Sequence, residues 1–182
     1  MASIYDTVPN WSEAATYNKF DIVIGSDGRF YYSVINNNQN KNPTSTSPSY
    51  LGSTWDGYIS LNNVLYPNFW WKPSYNGSIQ HKPKLKINQF GNGYQQRLND
   101  GINNDLIELN LNFQNRNELE TVSILHFLKE RNGQESFVYN MPTIYSKLSN
   151  NLITKFTSFN WSVNYISYNN YNIEVNLAET PV

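Results

Sequence analysis

The sequence contains no cysteine. This absence excludes disulfide bonds, thiolate catalysis and the common cysteine-based structural zinc sites. Histidine is almost as scarce: the two residues are His81, in a polar stretch that favours a linker, and His126, on a predicted helix, where a histidine is usually solvated or satisfied. No catalytic constellation is evident, and we expect neither an enzyme nor a cofactor or metal. A hydrolase that uses paired carboxylates stays open as a minor alternative.

Charge is also low. Only 15% of the residues are charged, compared with roughly 25% in average soluble domains. Thirteen basic and fourteen acidic residues leave a net charge of −1, which is too small to attract nucleic acid or an anionic membrane. No apolar run approaches the roughly 20 residues needed to cross a bilayer, and residues 1–10 do not resemble a signal peptide. We therefore expect a soluble protein that binds neither membrane nor nucleic acid.

Asparagine is abundant in place of charge, with runs at residues 36–42 and 169–172. This residue disfavours helix interiors and suits turns and left-handed backbone positions. A codon bias from an AT-rich genome would produce the same excess, so the composition by itself leaves both explanations open.

The first part of the chain predicts a small β module. Phe20 to Ile24 and Phe30 to Ile35 are rich in β-branched and aromatic residues, and Ser26-Asp27-Gly28 between them favours a hairpin turn. A polar tract with two prolines follows and predicts a surface loop. We expect three domain-level segments: a three-stranded module over residues 1–58, a linker over residues 59–68, and a second domain over residues 69–182.

The second domain is predicted to be a β-sheet with one helix. Its first strand is predicted to begin at Phe69, and Ile107 to Phe113 alternates strictly between apolar and polar residues, which is typical of half-buried antiparallel strands. Asn160 to Tyr165 and Tyr171 to Leu177 alternate in the same way. Residues 118–131 instead have helical spacing. The predicted apolar face comprises Leu119, Val122, Leu125 or Ile124, and Leu128, with a capping-box-like start at Asn117 and Glu120 and Gly133 after the end. The expected fold class is therefore mainly β.

The most specific stretch runs from Phe90 to Arg97, with Gly101-Ile102-Asn103 behind it. Gly91 and Gly93 favour a tight turn that would present Tyr94, Gln96 and Arg97 at one spot. Lysine followed by serine or threonine is absent after the glycines, which excludes a phosphate-binding loop. For Arg97 two interpretations stay open. Its guanidinium could contact a neighbouring subunit, or it could pair within its own domain with Glu108 or Asp105.

The Phe90 to Arg97 run, the alternating strand, the helix with Phe127-Leu128 near its end and the later Gly133, Ser136-Phe137 and Met141-Pro142 resemble the minor tail protein M family of lambda-like phages. The resemblance extends from about Phe69 to the C-terminus. Asn132 stands where the family usually has glycine, Met141 stands where it has the first of two prolines, and residues 145–155 form a longer, asparagine-rich segment. These departures concern loop lengths.

The resemblance implies a fold like that of tail-tube proteins and a structural role in the virion, at the tail tip or baseplate, after assembly in the host cytoplasm. It implies a ring, with six copies by family analogy, that connects the tail tube to the tip complex. The expected partners are other copies of the chain, the tail tube protein, and tip or hub proteins. The residues expected at subunit contacts are the motif residues Phe90, Gly91, Gly93, Tyr94, Gln96 and Arg97.

The first module is similar to the small chitin-binding-type carbohydrate modules of families 5 and 12. The similarity lies in Tyr17 to Val23, Gly28, Tyr31-Tyr32, the polar loop and Trp55, with Phe20 in the place of a customary glycine. In those modules exposed aromatic rings stack on sugars. The candidates here are Trp11, Tyr31, Tyr32 and Trp55. A unit of this size also needs aromatic residues for its own core, and Trp55 above all favours that role. A glycan-binding virion protein is thus the alternative function.

Overall fold

A computed structural model describes residues 7–47, 49–74, 77–101, 105–140 and 155–180. The fold is mainly β with one α-helix, so the predicted fold class is confirmed. Ile102, Asn103, Met141 and Pro142, on which the sequence resemblance partly rests, and residues 145–154 lie outside the described residues.

The N-terminal segment forms small sheets. Its strands are β1 Thr16–Tyr17, β2 Ile22–Ile24, β3 Phe30–Ser33, β4 Asn38–Gln39 and β5 Trp55–Asp56. Strands β2, β3 and β5 form the predicted three-stranded sheet, in that order, and β1 pairs with β4. The predicted turn between β2 and β3 is present, with the amide of Gly28 donating to the carbonyl of Gly25 at 3.0 Å.

The stretch predicted to be a linker contains a hairpin instead. Strand β6 is Tyr58–Leu61 and β7 is Val64–Phe69, so Phe69 ends a strand and does not begin one. The two strands are joined by Asn62 and Asn63, both at positive φ, which is the backbone that a tight two-residue hairpin turn requires. The hairpin joins the large sheet, because β7 pairs in parallel with a later strand at Asn68 and Phe69.

That large sheet has seven strands. The remaining strands of the chain are β8 Ser78–Pro83, β9 Leu85–Gln89, β10 Gln95–Asn99, β11 Asp105–Arg116, β12 Phe137–Tyr139, β13 Lys155–Ser167 and β14 Asn170–Thr180. The order of strands in the large sheet is β6, β7, β12, β13, β14, β11, β8. Strands β9 and β10 are not part of it and form a hairpin by themselves. His81 lies in β8, within the sheet and not in a linker.

One face of the sheet is apolar. The alternation predicted in β11 is confirmed, because Leu109, Leu111 and Phe113 are buried while the residues between them are partly exposed. Ile173, Val175 and Leu177 of β14 lie opposite them and share that face. The other face presents polar residues, chiefly asparagine. Asn110 Nδ2 donates to Asn176 Oδ1 at 2.8 Å, which links β11 to β14 across this face.

The helix α1 spans Glu118–Arg131, as predicted. The side chain of Asn117 accepts a hydrogen bond from the amide of Glu120 at 2.8 Å and so caps the helix. The second half of the predicted capping box is absent, because the Glu120 carboxylate pairs with Arg116 at 2.9 Å. At the other end Asn132 takes a left-handed conformation, φ 44°, and its amide bonds to the carbonyl of Leu128.

The buried face of the helix differs from the predicted one. Leu119 is 53% exposed, and Val122 and Leu125 are only partly buried. The buried residues are Thr121, Ser123, Ile124, His126, Phe127, Leu128 and Arg131. The reason is that α1 is covered from two directions. Phe127 packs on Phe69 and Phe137 of the sheet, while His126 contacts Phe30 and Tyr32 of the N-terminal segment.

The abundance of asparagine has a structural use. Nine residues other than glycine have positive φ among those described, and eight of them are asparagine. The ninth is Phe20, at φ 77°. Asparagine tolerates this region better than other side chains, so the composition matches the turns that the chain must make.

Candidate assembly surface

The stretch from Phe90 to Arg97 lies in the β9–β10 hairpin. Phe90 to Tyr94 make the turn: the amide of Phe90 donates to the carbonyl of Tyr94 at 2.8 Å, and Asn92 and Gly93 have φ of 69° and 83°. The tight turn predicted from the glycines is therefore present. The positive φ at Gly93 is the conformation that most favours glycine.

The sequence predicted that Tyr94, Gln96 and Arg97 lie at one spot, but the hairpin separates them. In the register of the hairpin, Gln96 is opposite Asn88 and Arg97 is opposite Ile87. Successive residues of a strand point to opposite faces, so Gln96 and Arg97 occupy different faces of the hairpin. Tyr94, at the turn, is 76% exposed.

Arg97 has neither of the partners considered within its own domain. Asp105 contacts the imidazole of His81 at 3.2 Å, and Glu108 pairs with Lys82. Within the described residues, Arg97 makes no ion pair and no side-chain hydrogen bond. Its five donors face solvent on an exposed strand, where they are available to a carboxylate or to carbonyl groups of another molecule.

The hairpin also exposes apolar side chains on both strands and at the turn. They are Leu85, Ile87, Phe90, Tyr94 and Leu98, each at least 43% exposed. A two-stranded hairpin alone is marginally stable in water, and clustered exposed apolar groups mark interaction sites. This hairpin is a candidate surface for contact with another protein.

The match to known proteins decides the family. The family model described as phage minor tail protein matches residues 67–180, more than half of the chain. The chain belongs to this family. No curated protein sequence matches it. Members of the family are structural components of phage, so this minor tail protein is a virion tail component that interacts with other tail components.

The matched region of this minor tail protein includes the whole β9–β10 hairpin, six strands of the large sheet in full or in part, and the helix. The N-terminal segment before residue 67 precedes the match. It nevertheless packs on the matched region. Phe20 stacks on Trp70 with ring centroids 5.8 Å apart, and Tyr32 packs on Trp71 at 5.1 Å.

Three of the four rings considered for glycan stacking are in the core. Tyr31, Tyr32 and Trp55 are at most 1% exposed. Trp55 donates from Nε1 to the carbonyl of Lys41 at 2.6 Å, and its ring meets Tyr17 edge-on at 5.3 Å. Their faces are covered by protein, so they are not available to a sugar. Only Trp11 is partly exposed. The core role is the one that the structure assigns to Tyr31, Tyr32 and Trp55.

The N-terminal segment and the β6–β7 hairpin enclose a polar cleft of about 670 Å³. Its wall includes Asp27 and Arg29, whose side chains pair at 3.2 Å, and hydroxyl groups such as those of Ser26 and Thr44, 2.9 Å apart. The Tyr31 hydroxyl donates to Asp27 at 2.8 Å, and burial raises the pKa of Tyr31, followed in effect by this carboxylate. The cleft could not be predicted from the sequence because its residues come from three separate parts of the chain.

Two buried titratable groups lie at the junction of the N-terminal segment with the large sheet and its helix. Burial, then Arg131 and Lys129, lowers the pKa of His126 to about 4. Burial raises the pKa of Asp56, although its hydrogen bonds from Asn68 and Gly57 act in the opposite direction. The ring of His126 lies against Phe30 and Tyr32, whereas Asp56 lies at the wall of a small cavity next to Trp70 and Trp71.

Two classes of site are missing from the part of the chain that the structure describes. No group of three or more histidine or carboxylate residues there is arranged to hold a metal ion. Within the same residues, no helix is long and apolar enough to cross a bilayer.

Proposed function

We propose that this minor tail protein is of the M type found in lambda-like phages and forms a ring, of six copies, between the tail tube and the tip complex. Its partners are then other copies of itself, the tail tube protein, and tip or hub proteins. The role is structural, without catalysis or a cofactor.

The observation that carries this proposal is the β9–β10 hairpin. It exposes five large apolar side chains and an unpaired Arg97, and it contains the motif by which the sequence resembles the M family. A surface of this kind costs solubility unless another subunit covers it. In a ring each subunit uses two different surfaces, and the angle between them determines whether the ring closes.

The mass of the purified chain in solution, measured by light scattering over a concentration series, tests the proposal. A ring gives a mass near six times 21.1 kDa. Because the formation of such a ring can depend on a growing tail, the second measurement is the copy number of the chain in purified virions. A monomer in solution together with fewer than six copies per virion would reject the ring.

Glycan binding is the second candidate function. The polar cleft favours it, whereas the buried rings of Tyr31, Tyr32 and Trp55 do not. A carboxylate, a guanidinium and several hydroxyls supply the donors and acceptors that a sugar requires. Retention on chitin or on bacterial surface polysaccharide tests it. Arg29→Ala should abolish retention with an unchanged circular dichroism spectrum. Trp11→Ala tests separately whether stacking of a sugar on the Trp11 ring contributes to retention. No retention of the wild type would eliminate this candidate.

A further inference from the structure

Strand β13 has an open edge. It pairs with β14 along its whole length, from Lys155 opposite Thr180 to Ser167 opposite Asn170. On its other side it pairs with β12 only at Lys155 and Phe156. Within the described residues, no strand pairs with that side from residue 159 to residue 167. Residues 159–167 of β13 therefore extend beyond β12, and the backbone amide and carbonyl groups on that side have no partner strand among the described residues.

This edge lacks the charged residues and prolines that usually protect one, although the register of β13 shifts between Ser158 and Asn160 and between Tyr165 and Ser167. Residues 159–168 contain no charged residue, no proline and no glycine. Edge strands normally carry such residues because an unprotected edge pairs with other chains. By contrast, the edge strand β8 contains His81, Lys82 and Pro83. The β13 edge therefore carries no side chain of the kinds that keep another strand from pairing with it.

The side chains around the open edge are as exposed as those of the motif hairpin. Twelve large apolar residues are exposed among those described, and ten lie in these two places, which identifies them as the two unsatisfied surfaces of the subunit. Those of β13 and its turn are Phe159, Val163, Tyr165, Ile166 and Tyr168, at 37% to 90% exposure. Tyr165 shares the face of the sheet that the helix covers elsewhere, but it packs only on Tyr171, at 5.6 Å.

The two surfaces lie at diagonally opposite corners of the large sheet. The motif hairpin leaves from the end where Pro83 of β8 is paired with Asp105 of β11, at one lateral border. The open edge of β13 faces the other lateral border, towards the end where Tyr165 is paired with Tyr171. A subunit cannot join these corners to each other, whereas adjacent subunits in a ring can.

We propose that the β9–β10 hairpin of one subunit pairs along the open edge of β13 in the next subunit and continues its sheet. This inference rests on the proposed ring and identifies the two surfaces that close it. The hairpin has free strands without a sheet, and β13 has an edge without a neighbour. Each surface supplies what the other lacks: main-chain hydrogen bonds for affinity and apolar side chains for burial.

Length and charge both fit. The five residues of β9 or β10 extend about 17 Å and the nine residues of the open edge about 30 Å, at about 3.3 Å per residue, so a hairpin strand fits within the edge. Residues 84–101 carry Lys84, Lys86 and Arg97 against a single acid, Asp100. Glu174 lies on β14, on the other side of β13 from the open edge. It is paired with Ser162, is exposed to solvent and accepts a hydrogen bond from Asn110. The basic hairpin thus meets an uncharged strand with a carboxylate on the strand behind it.

Crosslinking between engineered cysteines tests the proposal directly, since the natural chain has none. Leu98→Cys in the hairpin is mixed with Val163→Cys in β13, with a different tag on each, and treated with a short bismaleimide that tolerates a shift of one residue in register. The matched control replaces Val163→Cys by Glu130→Cys, which is exposed on the helix. Crosslinked heterodimer should form at least tenfold more with Val163→Cys than with the control.

The outcomes separate this inference from the ring itself. If light scattering shows an assembly but the two cysteine positions of β13 and the helix react equally, the ring stands and the proposed pairing is overturned. If the chain stays monomeric and no virion contains a ring, both proposals fail together. Selective crosslinking in an assembled sample supports both.

Hydrogen exchange provides a second measurement that needs no substitution. Amides of residues 160–166 that point to the open edge should exchange rapidly in the monomer and at least tenfold more slowly after assembly. Amides of β14 should be protected in both states. Slow exchange along the β13 edge in the monomer would show that the chain covers this edge by itself and would overturn the proposal.

Discussion

The hydroxyl of Tyr32 lies 3.0 Å from Nδ1 of His126, a residue 94 positions later in the chain. Tyr32 belongs to β3 of the N-terminal segment, and His126 belongs to the helix on the large sheet. Both side chains are at most 1% exposed. Because this contact is buried, the N-terminal segment and the matched region, residues 67–180, share one core at this point. Burial there also disfavours the charged form of His126 by lowering its pKa.

Acid should destabilise the protein through His126. The pKa of this residue is about 4 in the fold compared with 6.5 ordinarily, so between these values the unfolded chain binds more protons. Stability should be unaffected by His126 above pH 6.5 and should fall by about 3 kcal/mol as the pH drops towards 4. Urea unfolding at pH 7 and pH 4.5 measures this loss.

His126→Gln is the control for this pH dependence. The variant retains the carboxylates, including Asp56, but lacks the imidazole, so its stability should change less between the two pH values. The difference between the two slopes isolates the contribution of His126. Equal slopes for wild type and variant would contradict the assignment.

Replacement of Phe20 by glycine should leave the protein more stable than replacement by alanine. Its φ of 77° is strained for a side chain with a Cβ, while its ring stacks on Trp70. Phe20→Gly and Phe20→Ala both lose the ring, but only glycine relieves the backbone. We expect the glycine variant to be more stable by about 1 kcal/mol in thermal unfolding.

Phe159 provides the matched control for Phe20. It is 58% exposed in β13, and it is not among the residues with positive φ. Glycine weakens the interior of a strand, so Phe159→Gly should be less stable than Phe159→Ala, the reverse of the order at Phe20. The same order at both positions would show that backbone strain does not govern the effect at Phe20.

Asn132 is a second position where glycine should be favourable. It ends the helix at φ 44° and ψ 33°, a conformation that glycine adopts without a Cβ penalty. Asn132→Gly should raise stability by about 0.5 kcal/mol, and Asn132→Ala should lower it by about 1 kcal/mol. Both variants keep the amide that bonds to Leu128, so chemical denaturation compares the backbone effect alone. A glycine variant less stable than the alanine variant would refute this assignment.

The parts of the fold that local sequence determines could be predicted. The helix from Glu118 to Arg131 has a cap residue before it and a turn residue after it, and Leu109, Leu111 and Phe113 alternate with polar residues in β11. These signals come from neighbouring residues. The hairpin turn at Phe90 to Tyr94 was predictable for the same reason, since its two glycines mark it.

The parts that depend on distant residues could not be predicted. Leu119 was expected in the core, but the helix turns His126 and Phe127 inwards because Tyr32 and Trp71 cover that side. The β6–β7 hairpin was missed because Pro67 favours irregular structure. Its pairing with β12, a strand some 70 residues later, holds the hairpin in the sheet.

The candidate site was predictable in its residues but not in its surroundings. The sequence identifies Phe90 to Arg97 as unusual, yet whether Arg97 is paired depends on where Asp105 and Glu108 lie, and these carboxylates pair with residues of β8. The open edge of β13 could not be located from the sequence, because it results from the shortness of β12, which pairs with only two residues of its neighbour.

A single positive charge on the β13 edge should weaken self-association without unfolding the subunit. Ile166 is 52% exposed, so Ile166→Lys should leave the thermal midpoint of the monomer nearly unchanged. In the assembled state the lysine would be buried beside the basic β9–β10 hairpin, which carries Lys86 and Arg97. Burial and like-charge repulsion should then weaken association at least tenfold, measured by light scattering over a concentration series.

Val64→Lys is the matched control for this substitution. Val64 is exposed to a similar extent, 49%, but it belongs to neither proposed surface: it lies on β7 and is paired with Leu61 of β6. The same charge at this position should change neither the thermal midpoint nor the association. Because the two variants have the same net charge, a difference between them reports the location of the lysine. Equal weakening by both would mean that association responds to overall charge and not to the β13 edge.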